Sequence, residues 1–180
     1  MRTQINSIII LSFVFLSCLM TSCDKEVKIE PSVTSETKNS DSTKITAKDI
    51  AKIKYTDYAL SDLTQSKTAD WQKFIELSNQ IEILKTGDLS FFRDDKAILE
   101  GFLSDLFNEA PESLKAPAVL VRLTVIKTVF FKLEGLASLS SAKKEDLLLA
   151  ITDVLISHSN LVFQINKKFE KESQNIEKPN

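Results

Sequence analysis

The sequence predicts an all-α fold, an antiparallel four-helix bundle preceded by a signal peptide and a flexible tether. Three observations predict it. Apolar residues recur at spacings of three and four through four successive segments, the period of a helix with one buried face. The 180 residues include only three glycines, Gly87, Gly101 and Gly135, too few for the tight turns of an all-β fold. The connections between segments are short, which makes neighbouring helices antiparallel. The chain is 43% hydrophobic and 27% charged, with a net charge of −2. That is the balance of a globular domain rather than of a disordered acidic or basic tail.

The first helix is expected over 69–85, capped by Thr68, with Phe74, Leu77, Ile81 and Leu84 as its seam. Thr86-Gly87-Asp88 ends it. The second is expected over 94–108, with Ile98, Leu99, Phe102, Leu103, Leu106 and Phe107 inward. Phe91 and Phe92, just before it, would plug an end of the bundle. The third spans 117–136, with Pro117 in its first turn, where a missing N–H costs nothing. Its valines suit a strand, but at ~100° per residue Val119, Ile126, Val129, Phe130 and Leu133 gather on one side, opposite Thr124 and Thr128. It is also longer than a usual strand. The fourth runs over 141–172, with Ser141 as a loose cap.

The leader is different. Arg2 precedes an apolar run from Ile8 to Leu16, well short of the ~20 residues that cross a bilayer. The stretch Leu19-Met20-Thr21-Ser22-Cys23 follows, and then the polar Asp24-Lys25-Glu26. An apolar residue and two small ones before a cysteine resemble the signal of bacterial lipoproteins, of the kind found in Bacteroidetes. The resemblance covers the leader alone. It implies cleavage before Cys23, acylation of Cys23 with palmitate-type chains, and a place in the bacterial cell envelope, lipid-anchored at the outer membrane. Each buried methylene contributes ~0.8 kcal/mol, so two or three acyl chains hold a protein at a membrane almost permanently. Cleavage there also removes Cys18 and both methionines, leaving no free thiol for catalysis or metal binding.

The expected organisation is residues 1–22 as signal peptide, 23–67 as tether with a possible short helix or arm, and 68–180 as the bundle. Residues 24–45 are rich in Ser, Thr, Lys and Glu and contain no aromatic residue, a spacer composition. A fully flexible 24–67 would reach about 35–40 Å. Its acidic and lysine residues balance, so charge singles out no partner.

Two residues interrupt the expected apolar faces. Arg122 falls among Val119, Ile126, Val129 and Leu133 of the third helix. His158, the single histidine, falls among Leu147, Ile151, Val154, Val162, Ile165 and Phe169 of the fourth. A turn near Ser140 would set the two at one height in the core. An unpaired buried cation costs several kcal/mol, so Arg122 would need an acid such as Glu100, Asp105 or Glu76. A buried structural network is the expectation. A small anionic ligand held by Arg122 and His158 is the functional alternative. A further oddity is that Leu149, Ile156 and Phe163 recur every seven residues on the face opposite His158. Either residues 46–63 fold back over this stripe, through Tyr55 and Tyr58, or it is a seam for another protein.

The remaining chemistries find no residues. Leu155 stands three before His158, where a bundle metal site needs Glu. There is no HExxH, no calcium loop and no glycine elbow for a nucleophile. The acidic stretch 88–112 shows no metal-ligand spacing, and no basic stripe suits nucleic acid. No cofactor and no metal is expected. The expected function is a membrane-anchored, non-enzymatic interaction module, tied to the membrane by its N-terminal lipid and docking an envelope protein.

Overall fold

The computed structural model describes residues 44–174. The predicted signal peptide, Cys23 and the first part of the tether lie outside them. Among the described residues the chain is all-helical, with no strand. Seven α-helices follow in order: α1 Ala47–Ile50, α2 Asp62–Thr68, α3 Gln72–Lys85, α4 Ser90–Arg93, α5 Lys96–Asn108, α6 Pro117–Ala137 and α7 Lys144–Ser173, with a 3-10 turn at Glu112–Leu114. The four long helices fall on the four predicted segments.

Two expected caps are corrected. Thr68 does not start a helix. It ends α2, where its hydroxyl donates to the Thr64 carbonyl at 2.9 Å. Helix α3 begins after Trp71 without a side-chain cap. Ser141 does not cap α7 either; Lys143 holds that position without a side-chain bond. Glu145 and Asp146 in the first turn instead complement the positive end of the helix dipole.

Helices α6 and α7 form the most extensive pair. α6 buries Val119, Leu123, Ile126, Phe130, Leu133 and Ala137, a regular alternation of four and three residues that keeps one face on its neighbour. α7 buries Leu147, Ala150, Ile151, Val154, Leu155, Leu161, Val162, Ile165 and Phe169. Outside the core the pair is fastened by Lys132 Nζ, 2.7 Å from Asp153 Oδ2. α7 is long and apolar enough to cross a membrane by length and composition, yet half of its most apolar stretch is buried inside the fold. Phe92 on α4 packs beside Phe130, ring centroids 5.2 Å apart, and Phe91 meets Phe102 of α5 edge-on at 5.4 Å. Phe92 is buried in the core, and Phe91 packs against it half-buried.

The segment 44–67 contains a helix, an arm and a helix. Thr46 and Asp49 form a reciprocal capping box around α1, which satisfies two otherwise orphaned donors. Ile45 and Ile50 are buried, and Lys144 Nζ reaches Asp49 Oδ2 at 2.8 Å. Hydrogen bonds from Lys144 and Thr46 bring the Asp49 carboxyl down to about 2. The chain here lies directly on Gly87. That residue has φ +91°, and a Cβ added to it would sit 2.9 Å from the Ile45 carbonyl oxygen. Glycine is required there on both counts. From Ala51 to Ser61 the arm has no regular secondary structure, and α2 then returns the chain to α7.

Candidate functional site

His158 lies on the core side of α7 and is 8% exposed. Its ring is near-parallel to that of Phe74 from α3, with centroids 6.4 Å apart, and Phe74 stacks in turn on Trp71 at 5.0 Å. Burial pushes the imidazole down to about 4; Asp57 and Glu82 oppose this and Lys85 adds to it. The ring is therefore neutral at neutral pH. His158 Nε2 and Trp71 Nε1 are buried without a hydrogen-bond partner, an arrangement that native folds seldom keep.

Arg122 is not where the helical wheel put it. It is exposed on α6, so no Arg–His pair forms in the core. At ~100° per residue it sits about 60° from the centre of the buried seam, close enough for its long side chain to reach water. The acids proposed for it are engaged elsewhere or free in solvent. Glu76 binds Lys73 at 2.9 Å, and Glu100 approaches Lys96 at 3.8 Å. Asp95, about two turns away from that level, accepts the Ala97 N–H as the N-cap of α5.

The polar face of α7 beside His158 holds the arm. Ser159 is buried, and its hydroxyl accepts the Tyr58 N–H at 3.0 Å and donates to the Thr56 carbonyl. Seven residues on, Asn166 accepts the Ser61 N–H at 3.0 Å and donates to the Ala59 carbonyl at 2.8 Å. Each side chain thus takes one carbonyl and the N–H two residues later. A seven-residue step of helix rises about 10.5 Å, and three residues of extended chain span about 9–10 Å. The two pairs therefore stay in register.

Lys85 of α3 completes the hold. Its ammonium lies 2.7 Å from Asp57 Oδ2 and 2.7 Å from Glu82 Oε1. Burial opposes its charge, and the two carboxylates more than offset this, so its pKa is raised. Burial raises the pKa of Tyr55 beside it.

The stripe on α7 is partly covered. The Tyr58 ring meets Phe163 at 4.8 Å, as folding back of the arm would require. Phe163 nevertheless keeps 37% exposure, Ile156 39% and Leu149 63%. Sequence reasoning missed Ser159 and Asn166. Their own seven-residue spacing, alongside Ile156 and Phe163, was the available signal.

Clefts open on the surface of the described residues. A cavity of about 820 Å³ lies where α6 begins and α7 ends, lined by Pro117, Gln164, Lys167, Lys168 and Lys171 among others. Lys167 and Lys168 are already paired with Glu170 and Glu172 at 2.7 and 2.6 Å. A smaller one of about 290 Å³ lies by Arg93 and the α6–α7 turn. Neither is lined by His158 or Arg122. Among the described residues no three His, Cys, Asp or Glu side chains gather as a metal would need. Comparison of the chain with protein-family models, curated proteins and solved structures gave no significant match.

Proposed function

We propose that this chain is a lipid-anchored, non-enzymatic helical interaction module of the bacterial cell envelope. In this reading the apolar run and Leu19-Met20-Thr21-Ser22 direct processing before Cys23. Cys23 carries the lipid that holds the protein at the outer membrane, and the four long helices act as a bundle that docks an envelope protein. The observation that carries the interaction half is α7, which is apolar on two sides. One side fills the core, while Leu149, Ile156 and Phe163 present a second stripe at heptad spacing toward solvent. Apolar side chains aligned along one exposed helix face supply the kind of surface that contact sites use.

The anchor is tested by feeding cells an alkyne-tagged fatty acid and fractionating their membranes. The wild-type chain is expected to take up label and sediment with membranes. Cys23→Ser is expected to do neither. A Cys23→Ser protein that is processed and sediments unchanged would overturn the anchor.

A further inference from the structure

The arm looks like a ligand that the protein supplies to itself. Between Thr56 and Ser61 it is held chiefly through its backbone, by Ser159 and Asn166. Backbone bonding of this kind is indifferent to sequence and is how proteins recognise extended peptides. Two side-chain contacts add selectivity: Asp57 on Lys85, and the Tyr58 ring on Phe163. Thr56, Asp57, Tyr58 and Ala59 are all exposed, so the apolar surface that resists departure is that of the flanking Ile53, Tyr55 and Leu60, each only partly buried against the core. Segments of that kind open at low cost.

The ends of the arm are fixed independently of its middle. Ile45, Ile50 and the Asp49–Lys144 pair secure one end. The buried Thr64 and Thr68 of α2 secure the other. The stretch between them can lift while the helical body stays whole.

We infer that the face formed by Ser159, Asn166, Lys85 and Phe163 is a docking site for an extended peptide segment of a partner protein, which the arm occupies in cis until displaced. The partner segment carries a carboxylate followed directly by an aromatic residue, as in Asp57-Tyr58, with free backbone groups at a three-residue period. This deepens the interaction-module reading by naming the partner's chemistry. It depends on Asn166 and not on Cys23, so the labelling experiment and the one below fail separately.

The test titrates a fluorescein-labelled peptide copying residues 53–61 into the full chain in detergent. A cis arm competes at an effective concentration in the mM range, so the wild-type chain should bind the peptide weakly. The double variant Tyr58→Pro, Ser61→Pro removes both arm N–H donors and leaves the docking face intact. It is expected to bind the peptide at least tenfold more tightly. Adding Asn166→Ala should return affinity to the wild-type level, and a peptide with Lys in place of Asp57 should bind at least fivefold more weakly. Circular dichroism verifies the fold; the Ser61 hydroxyl also caps α2, so if the double variant loses helix, Tyr58→Pro alone supports the same comparison. Equal binding by wild type and variant, or binding indifferent to Asn166→Ala, overturns the inference. So does a wild-type chain that elutes as a dimer with arms exchanged between copies.

Discussion

The ring of His158 lies 6.4 Å from that of Phe74 and 20° from parallel to it. A protonated imidazole in that place would face an aromatic ring on one side and have no carboxylate bonded to Nε2. The folded-state pKa is accordingly about 4, against 6.5 for a free imidazole.

The fold should therefore weaken in acid before its carboxylates titrate. Because the folded pKa lies below the unfolded one, the stabilisation is complete above pH 6.5 and is lost as pH falls toward 4. Two and a half pKa units at about 1.4 kcal/mol each give a loss on the order of 3 kcal/mol. Asp49, held at about 2, contributes stability that is complete above its free value of 3.8 and is lost only as pH falls from there toward 2. Urea unfolding at pH 7.5 and 4.5 should show a clear drop in midpoint for wild type and a much smaller one for His158→Leu. An equal drop in both would show that another group titrates.

Arg122 and its neighbour Leu123 give a direct reading of which face of α6 is inside. Leu123 is fully buried, whereas Arg122 is exposed. Leu123→Ala should cost about 3–5 kcal/mol in chemical unfolding. Arg122→Ala should stay within about 0.5 kcal/mol of wild type. A large loss from Arg122→Ala would restore it to the interior.

The glycines should respond in opposite directions. Gly87→Ala forces a Cβ to within 2.9 Å of the Ile45 carbonyl at φ +91° and should cost about 1–3 kcal/mol. Gly101 has open space around its missing Cβ and sits inside α5. Gly101→Ala should stabilise by about 0.5–1 kcal/mol. Thermal melts of the two variants on either side of wild type would meet both expectations.

The arm should loosen alone. Ser159→Ala deletes the acceptor for the Tyr58 N–H, a bond contributing about 1 kcal/mol. Hydrogen exchange at Tyr58 should quicken about fivefold, while amides in the middle of α7 keep their protection. Equal quickening along α7 would mean that the arm and the helix open together.

The helices were legible in the sequence because their period is carried by side chains. Phe74, Leu77, Ile81 and Leu84 are all buried, as their spacing predicts. Arg122 was misread because Val129, only half-buried, drew the inferred centre of the α6 face toward it. The true centre follows Leu123, which the inferred face left out, and the small Ala137. Thr68 looked like a cap because threonine before an apolar helix suits one, but its hydroxyl turns back to Thr64. The arm was foreseen as a possible cover for the α7 stripe, and Tyr58 does meet Phe163. Its anchorage was not foreseen, because backbone carbonyls and N–H groups leave no trace in residue identity. Only Ser159 and Asn166 marked it, and such residues are common on solvated faces.

The seat of Ile45 and Thr46 on Gly87 has a mechanical consequence. Tension on the polypeptide ahead of Lys44 would first meet Ile45, Ile50 and the Asp49–Lys144 link. These lie between the pulled end and Tyr58, so they must give way before the load can peel the arm. Force applied ahead of Lys44 and opening of the arm are thereby kept mechanically separate.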